Sequence, residues 1–175
     1  MRYHENLIGI ISDTHGHKAN TGAALQYFHQ NGITTIVHCG DLGSIGLLEL
    51  FKGFITYYAI GNTDLNTEEL RRKVKELNSL NRVGYYLEFS IFGKTIMASH
   101  HPNHLNPLMN HARPDFILHG HTHRPSFVHN SGTIVINPGT AGGSERDGIH
   151  SFCVLDALTH QVSFFTLPDC RSLII

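Results

Sequence analysis

"LIGIISDTHG", residues 7–16, is an unbroken apolar run that stops abruptly at Ser12 and Asp13. An apolar run of four to eight residues bounded by turn-forming residues fits a strand buried on both faces. The next segments of the chain support that reading. "GAALQYFHQ" (22–30) has apolar residues at helical spacing and ends at Asn31-Gly32, a suitable C-cap. "TTIVHCG" (34–40) repeats the strand pattern and "IGLLELFK" (45–52) the helical one. "ITYYAIG" (55–61) and "TEELRRKVKEL" (67–77), with Thr67 as N-cap, repeat both again. Strand and helix alternating in this order predict a parallel sheet with right-handed crossovers.

The second half is richer in strands. "YYLEFSI" (85–91) and "KTIMAS" (94–99) flank Phe92-Gly93, a hairpin signal, and a helix is expected between Asn103 and Ala112. "DFILHG" (115–120) is another apolar strand. "PSFVHN" (125–130), "GTIVINPG" (132–139), "HSFCVLDA" (150–157) and "QVSFFTL" (161–167) come next, separated by turn residues. The expected architecture is α/β: a two-sheet α/β sandwich of mixed strand direction with flanking helices, forming one domain over 1–175.

Composition narrows the function classes. The chain has 175 residues, 41% of them hydrophobic, and a formal net charge of −1. No basic stripe is visible, which disfavours extended nucleic-acid binding but leaves a short nucleotide substrate open. Cys39, Cys153 and Cys170 are too scattered for a disulfide framework or a zinc finger. "LIGII" is shorter than a signal-peptide core and no segment is long enough to span a bilayer, so a reducing, cytoplasmic setting is expected. Histidine is the outlier, at 15 residues against 13 Lys and Arg together.

Five polar clusters each come directly after an apolar run: "SDTHG", "GDLG", "GNTD", "SHHP" and "HGHTH". Ligands of open α/β sheets bind beyond the carboxyl ends of the strands, so the five should gather on one edge. The gathered set is Asp13, His15, Asp41, Asn62, a histidine from His100-His101, and the histidines of "LHGHTHRP" (118–125). Oxygen and imidazole without thiolate suit a divalent first-row metal. Seven such groups exceed one tetrahedral site and suit two metals sharing a carboxylate. Alternate side chains of an extended segment share a face, so His121 and His123 can point together while His119 lies one step back.

Any one of these residues alone would read more simply as a turn residue, because Asp and Asn beside glycine commonly close turns; together they favour metal. His4, His29, His129, His150 and His160 read as surface or interface residues. His38 and His119 read either as groups orienting a ligand or as hydrogen-bonded core histidines. "NPGTAGG" (137–143) reads as a structural turn beneath the site.

The ordered set Asp13-x-His15, Gly40-Asp41, Gly61-Asn62, a strand-end histidine, and Gly120-His121-x-His123 resembles the calcineurin-like metallophosphoesterases. With "GNTD" and the closing "NPGT" (137–140), it is most similar to their small YfcE-like phosphodiesterase branch. The resemblance spans about residues 7–140 and implies two divalent metal ions, manganese first, with nickel, iron, zinc or magnesium as alternatives. It assigns Asp13, His15 and His123 to one metal, Asn62, His100 and His121 to the other, and Asp41 as the bridge. A hydroxide between the metals would attack phosphorus in line.

Two departures stand out. Many members carry Gly-Asn-His at the third motif, where this chain has Thr63 and then Asp64. The fourth motif usually reads His-Gly-His, and here it is "HHP", with His101 in the glycine position; a slip of one residue would exchange His100 and His101. Asp41, His101 and Asp64 are accordingly the candidate catalytic residues, with Asn62 and His17 as candidate substrate contacts. The expected substrate is a small phosphodiester or nucleotide-like molecule. Two alternatives use the same residues: a phosphomonoesterase or pyrophosphate-cleaving hydrolase, and a non-catalytic metal-binding scaffold. A homo-oligomer through the second-half strands is also expected to be feasible.

Overall fold

The structure, a computed structural model, describes residues 6–104, 113–143 and 148–175. The run at residue 7 forms β1 (Leu7–Ile11), followed by α1 (Lys18–Gln30), β2 (Thr35–His38) and a 3-10 helix (Ile45–Phe51). Next come β3 (Ile55–Ala59), α2 (Thr67–Leu77) and β4 (Arg82–Gly84). β5 (Tyr86–Ile91) and β6 (Lys94–Ser99) form the hairpin expected at Phe92-Gly93. β7 (Phe116–Leu118), β8 (Ser126–Asn130), β9 (Thr133–Asn137), β10 (Ser151–Asp156), β11 (Val162–Thr166) and β12 (Ser172–Leu173) complete the order.

These strands make two mixed sheets, as the sequence pattern implies. One runs β12-β11-β10-β1-β2-β3-β4, the other β5-β6-β7-β9-β8. β1 to β4 are parallel, and β10 returns antiparallel beside β1, matching Ile8 to Leu155. In the second sheet β6, β7 and β9 are parallel and the edge strands β5 and β8 antiparallel.

Side chains alternate across each strand, so β1 serves two cores. Ile8 and Ile10 join Val37, Ile96, Phe116, Leu118 and Ile136 between the sheets. Ile11 joins Leu25, Phe28, Tyr58, Leu70 and Val74 between the first sheet and its helices. Full burial of one such side chain contributes about 1.5–3 kcal/mol, so both interfaces are substantial.

Local differences have local causes. α1 begins at Lys18 rather than residue 22, because the His17 ring Nδ1 accepts the Asn20 N–H (3.2 Å) and caps it earlier. The segment expected as a helix over 45–52 winds as 3-10. Asn66, not Thr67, caps α2, its Oδ1 accepting from the Glu69 N–H (3.3 Å). The helix expected between Asn103 and Ala112 falls largely outside the described residues, and Pro102–His104 form a short 3-10 turn. Among the described residues no helix is long and apolar enough to cross a membrane.

Candidate metal centre

The parallel strands of both sheets release their carboxyl ends on the same edge, and the loops there are stitched together by backbone hydrogen bonds. After β1 and β2, the Asp13 N–H donates to the Gly40 carbonyl (2.9 Å), His15 to Asp41 (3.0 Å) and Gly16 to Leu42 (2.7 Å). In the second sheet the Gly120 N–H donates to the His100 carbonyl (3.0 Å). Among the contacts that tie the sheets to each other, the His121 N–H donates to Asp13 Oδ2 (3.1 Å).

Close packing leaves no room for side chains at two glycines. A Cβ on Gly61 would collide with Asp41 Oδ1, and one on Gly120 with Ser12 Oγ and Asp13 Oδ2. The backbone is also strained where the donors sit. Asp13, His15, Asp41, His121 and His123 all have positive φ, between 42° and 68°. Such conformations are rare for residues with a side chain and persist only where the surroundings enforce them.

Two groups of donors result. Asp13 Oδ1 lies 3.1 Å from His123 Nε2 and 3.9 Å from His15 Nε2, and those two imidazole nitrogens are 3.3 Å apart. Asn62 Oδ1 lies 2.9 Å from His100 Nε2 and 3.1 Å from His121 Nδ1. Asp41 Oδ2 stands between the groups, 3.9 Å from His15 Nε2 and 3.5 Å from His100 Nε2. Its other oxygen is fixed by the Thr63 N–H (2.9 Å).

The chemistry of this set fits cations. His100 donates its Nδ1–H to the Cys39 carbonyl (2.8 Å), so Nε2 presents a lone pair to the Asn62 amide oxygen and the Asp41 carboxylate. Acceptors facing acceptors repel unless a positive charge lies among them, and a ring nitrogen anchored to a carbonyl is the usual tautomer of a metal-binding histidine. Asp13 Oδ1 is buried without a well-aligned hydrogen bond. Burial works to raise the Asp13 carboxyl, but the hydrogen bonds of His123 and Ser12 and the nearby His100 outweigh it and hold it below the ordinary carboxylate value. Two sets, Asp13-His15-His123 and Asp13-Asp41-His100, converge closely enough to hold an ion.

The structure thus brings together all seven residues expected to gather. Between the neighbouring histidines, His100 is buried among the donors, while His101 is half-buried. The His101 ring lies 4.4 Å from that of His121, and its Nδ1 accepts the Asn103 N–H (3.2 Å). His17 caps α1 and stands edge-on to His150 at 6.2 Å.

Asp64 accepts hydrogen bonds at both carboxylate oxygens. Its Oδ1 accepts the Leu42 N–H (2.8 Å), and its Oδ2 accepts the N–H groups of Gly61 (2.8 Å) and Asp41 (3.1 Å) and the Tyr58 hydroxyl (3.1 Å). These four hydrogen bonds tie the loops that carry Asp41 and Asn62 to each other.

Three supporting residues stand outside the candidate site set read from the sequence. Neutral His38 accepts the Gly40 N–H at Nδ1 (3.1 Å) and meets Thr14 Oγ1 at Nε2 (3.1 Å), linking the first two loops. Asn137 donates to the Gly120 carbonyl (2.9 Å) and Thr122 Oγ1 (2.9 Å), bracing the last loop. Thr140 Oγ1 donates to the Asp13 carbonyl (3.0 Å), so "NPGT" does pack beneath the site. Adjacency of His38 to the second motif was the available signal; the partners of Asn137 and Thr140 lie too far along the chain to be read.

Residues 7–160 match the calcineurin-like phosphoesterase superfamily domain. The chain is 31% identical over 155 residues to phosphodiesterase MJ0936 of Methanocaldococcus jannaschii, covering 85% of this chain and 92% of that protein. A structurally and functionally characterised archaeal phosphodiesterase superposes with a TM-score of 0.85 and 28% identity, over 92% of this chain and 99% of the other. The fold is shared with the phosphoesterase YfcE of E. coli, at TM-score 0.71 and 19% identity, covering 96% and 97%. The chain belongs to the calcineurin-like phosphoesterase superfamily.

Proposed function

We propose that this protein is a phosphodiesterase that cleaves small phosphate diesters with two divalent cations, manganese foremost. The position of Asp41 Oδ2 carries the reading, since it faces the imidazoles of both donor groups at 3.5 Å and 3.9 Å. Its relatives named as phosphodiesterases support it. Asp13, His15 and His123 would hold one cation, Asn62, His100 and His121 the other, and Asp41 both. Cations bound there would activate a water and neutralise charge on the phosphoryl oxygens.

The protein's own groups do the rest. The Thr63 N–H fixes the Asp41 carboxylate in register. Asp64 holds the Asp41 and Gly61 backbones, so that the two loops keep a constant separation. His101, whose Nδ1 already accepts a hydrogen bond, carries its proton on Nε2 at the rim and donates it toward the ester oxygens. His17 stands at the opposite loop as a further substrate contact. The absence of a histidine at Thr63 favours diesters over monoesters, whose poorer leaving groups need acid assistance more.

The test strips the protein with chelator, restores single metals, and compares a chromogenic diester with the matching monoester. Manganese is expected to restore diester cleavage preferentially. Asp41→Asn should lower it on the order of 100-fold or more. Failure of every metal to restore cleavage would overturn the proposal.

A further inference from the structure

The third-motif loop borders a hollow that the metal chemistry does not use. It lies between the exits of β2 and β3, walled by Leu42 and Ile45 on one side and Thr63 and Leu65 on the other, with Leu70 and Asn66 behind. Its volume is about 210 Å³. Pockets for drug-sized ligands measure roughly 300–1,000 Å³, so this one accommodates a single ring and not a whole nucleotide.

The hollow adjoins the loop after β3, which also carries Asn62. Thr63 lines it and also holds the Asp41 carboxylate through its N–H (2.9 Å), so one residue is shared between the hollow and the metal donors. Its apolar walls are Leu42 and Leu70, both buried core residues, with Ile45 and Leu65, the last 91% exposed on the rim; Ser44, Thr63, Asp64 and Asn66 add polar lining. A lone exposed leucine means little by itself. Here it stands over an apolar cavity next to a phosphate-cleaving site.

Charge decides what the hollow excludes. None of its lining residues is Lys, Arg or His. The Asp64 carboxylate is committed to its loop, and Asn66 donates its amide to the Glu69 carboxylate (2.8 Å). A second phosphate placed there would meet apolar carbon backed by acids, at the cost of its hydration.

Building on the phosphodiesterase reading, we propose that this hollow receives an uncharged, single-ring ester group of the substrate while its phosphate lies at the metal donors. The substrate class is then a phosphate diester with at least one neutral aromatic or similarly apolar group. Pyrophosphates and polyphosphates are disfavoured.

Calorimetric titration of the manganese-loaded protein with inorganic phosphate, methyl phosphate and phenyl phosphate tests this. Phenyl phosphate should bind about tenfold more tightly than methyl phosphate, reflecting burial of the ring offset by its ordering. Leu65→Ala, a surface change that leaves the fold intact, should remove most of that advantage, and Ile45→Ala should add to the loss. Affinity for inorganic phosphate should stay unchanged in both. Phosphate binding with no preference for the ring, or a preference untouched by both substitutions, overturns the subsite and leaves the phosphodiesterase reading standing. No binding of any of the three overturns that reading and the subsite with it.

Discussion

Replacing Asp64 with alanine separates a positioning role from an acid role. The substitution leaves three backbone N–H groups, those of Asp41, Leu42 and Gly61, without their acceptor, and frees the Tyr58 hydroxyl. An orphaned buried donor costs about 1–3 kcal/mol, and water entering this partly exposed spot recovers some of that, for a net loss of about 3 kcal/mol. In a chain of 175 residues that corresponds to a drop in Tm of roughly 6–12 °C. Asp64→Asn retains one acceptor oxygen and should lose about half as much. Because the freed amides belong to the loops bearing Asp41 and Asn62, manganese affinity should fall about tenfold in Asp64→Ala. Thermal unfolding and metal titration of both variants give the answer. An Asp64→Ala protein with unchanged Tm and metal affinity, but with diester cleavage abolished, would refute the argument and favour a catalytic role for Asp64.

Burial pushes His38 down to about 4, against the partial pull of Asp64 and Asp13 in the other direction. The unfolded chain takes up this proton below about pH 6.5, so the folded state loses stability as pH falls from there to about 4, by about 3 kcal/mol in all. Denaturant unfolding of chelated protein across that range should show His38→Gln with a flatter dependence than wild type, and equal slopes would contradict it. Gly120→Ala drives a methyl group into Ser12 Oγ and Asp13 Oδ2, and diester cleavage should fall at least ~100-fold together with metal affinity. Removing metal should itself lower Tm: at 100 times the dissociation constant a bound ion contributes about 2.7 kcal/mol, or roughly 5–10 °C, measured by scanning with and without chelator.

The parts of the fold that are legible in the sequence are those specified locally. β1, β2 and β3 are continuous apolar runs, and the Phe92-Gly93 turn announces its hairpin. β4 and β12 are three and two residues long and owe their existence to a neighbouring edge, which no local pattern records. Nor does periodicity distinguish 3-10 from α winding over seven residues such as Ile45–Phe51. The placement of β10 beside β1 is set by packing between the sheets. In the site, donors sit just past strand ends and stand out as clusters. The partners of Asp64 are not legible for a related reason, since the four come from three separate loops and strands.

Asp13, His15, Asp41 and Asn62 hang from the first sheet, whereas His100, His121 and His123 hang from the second. Each proposed cation therefore draws on both layers and acts as a clasp between them. Sliding one layer past the other by an ångström would open both coordination shells at once. The sandwich interface is thus part of the tolerance within which the proposed metal centre is held. A changed side-chain volume at Ile10 or Phe116, which pack between the sheets, should therefore lower metal affinity together with stability.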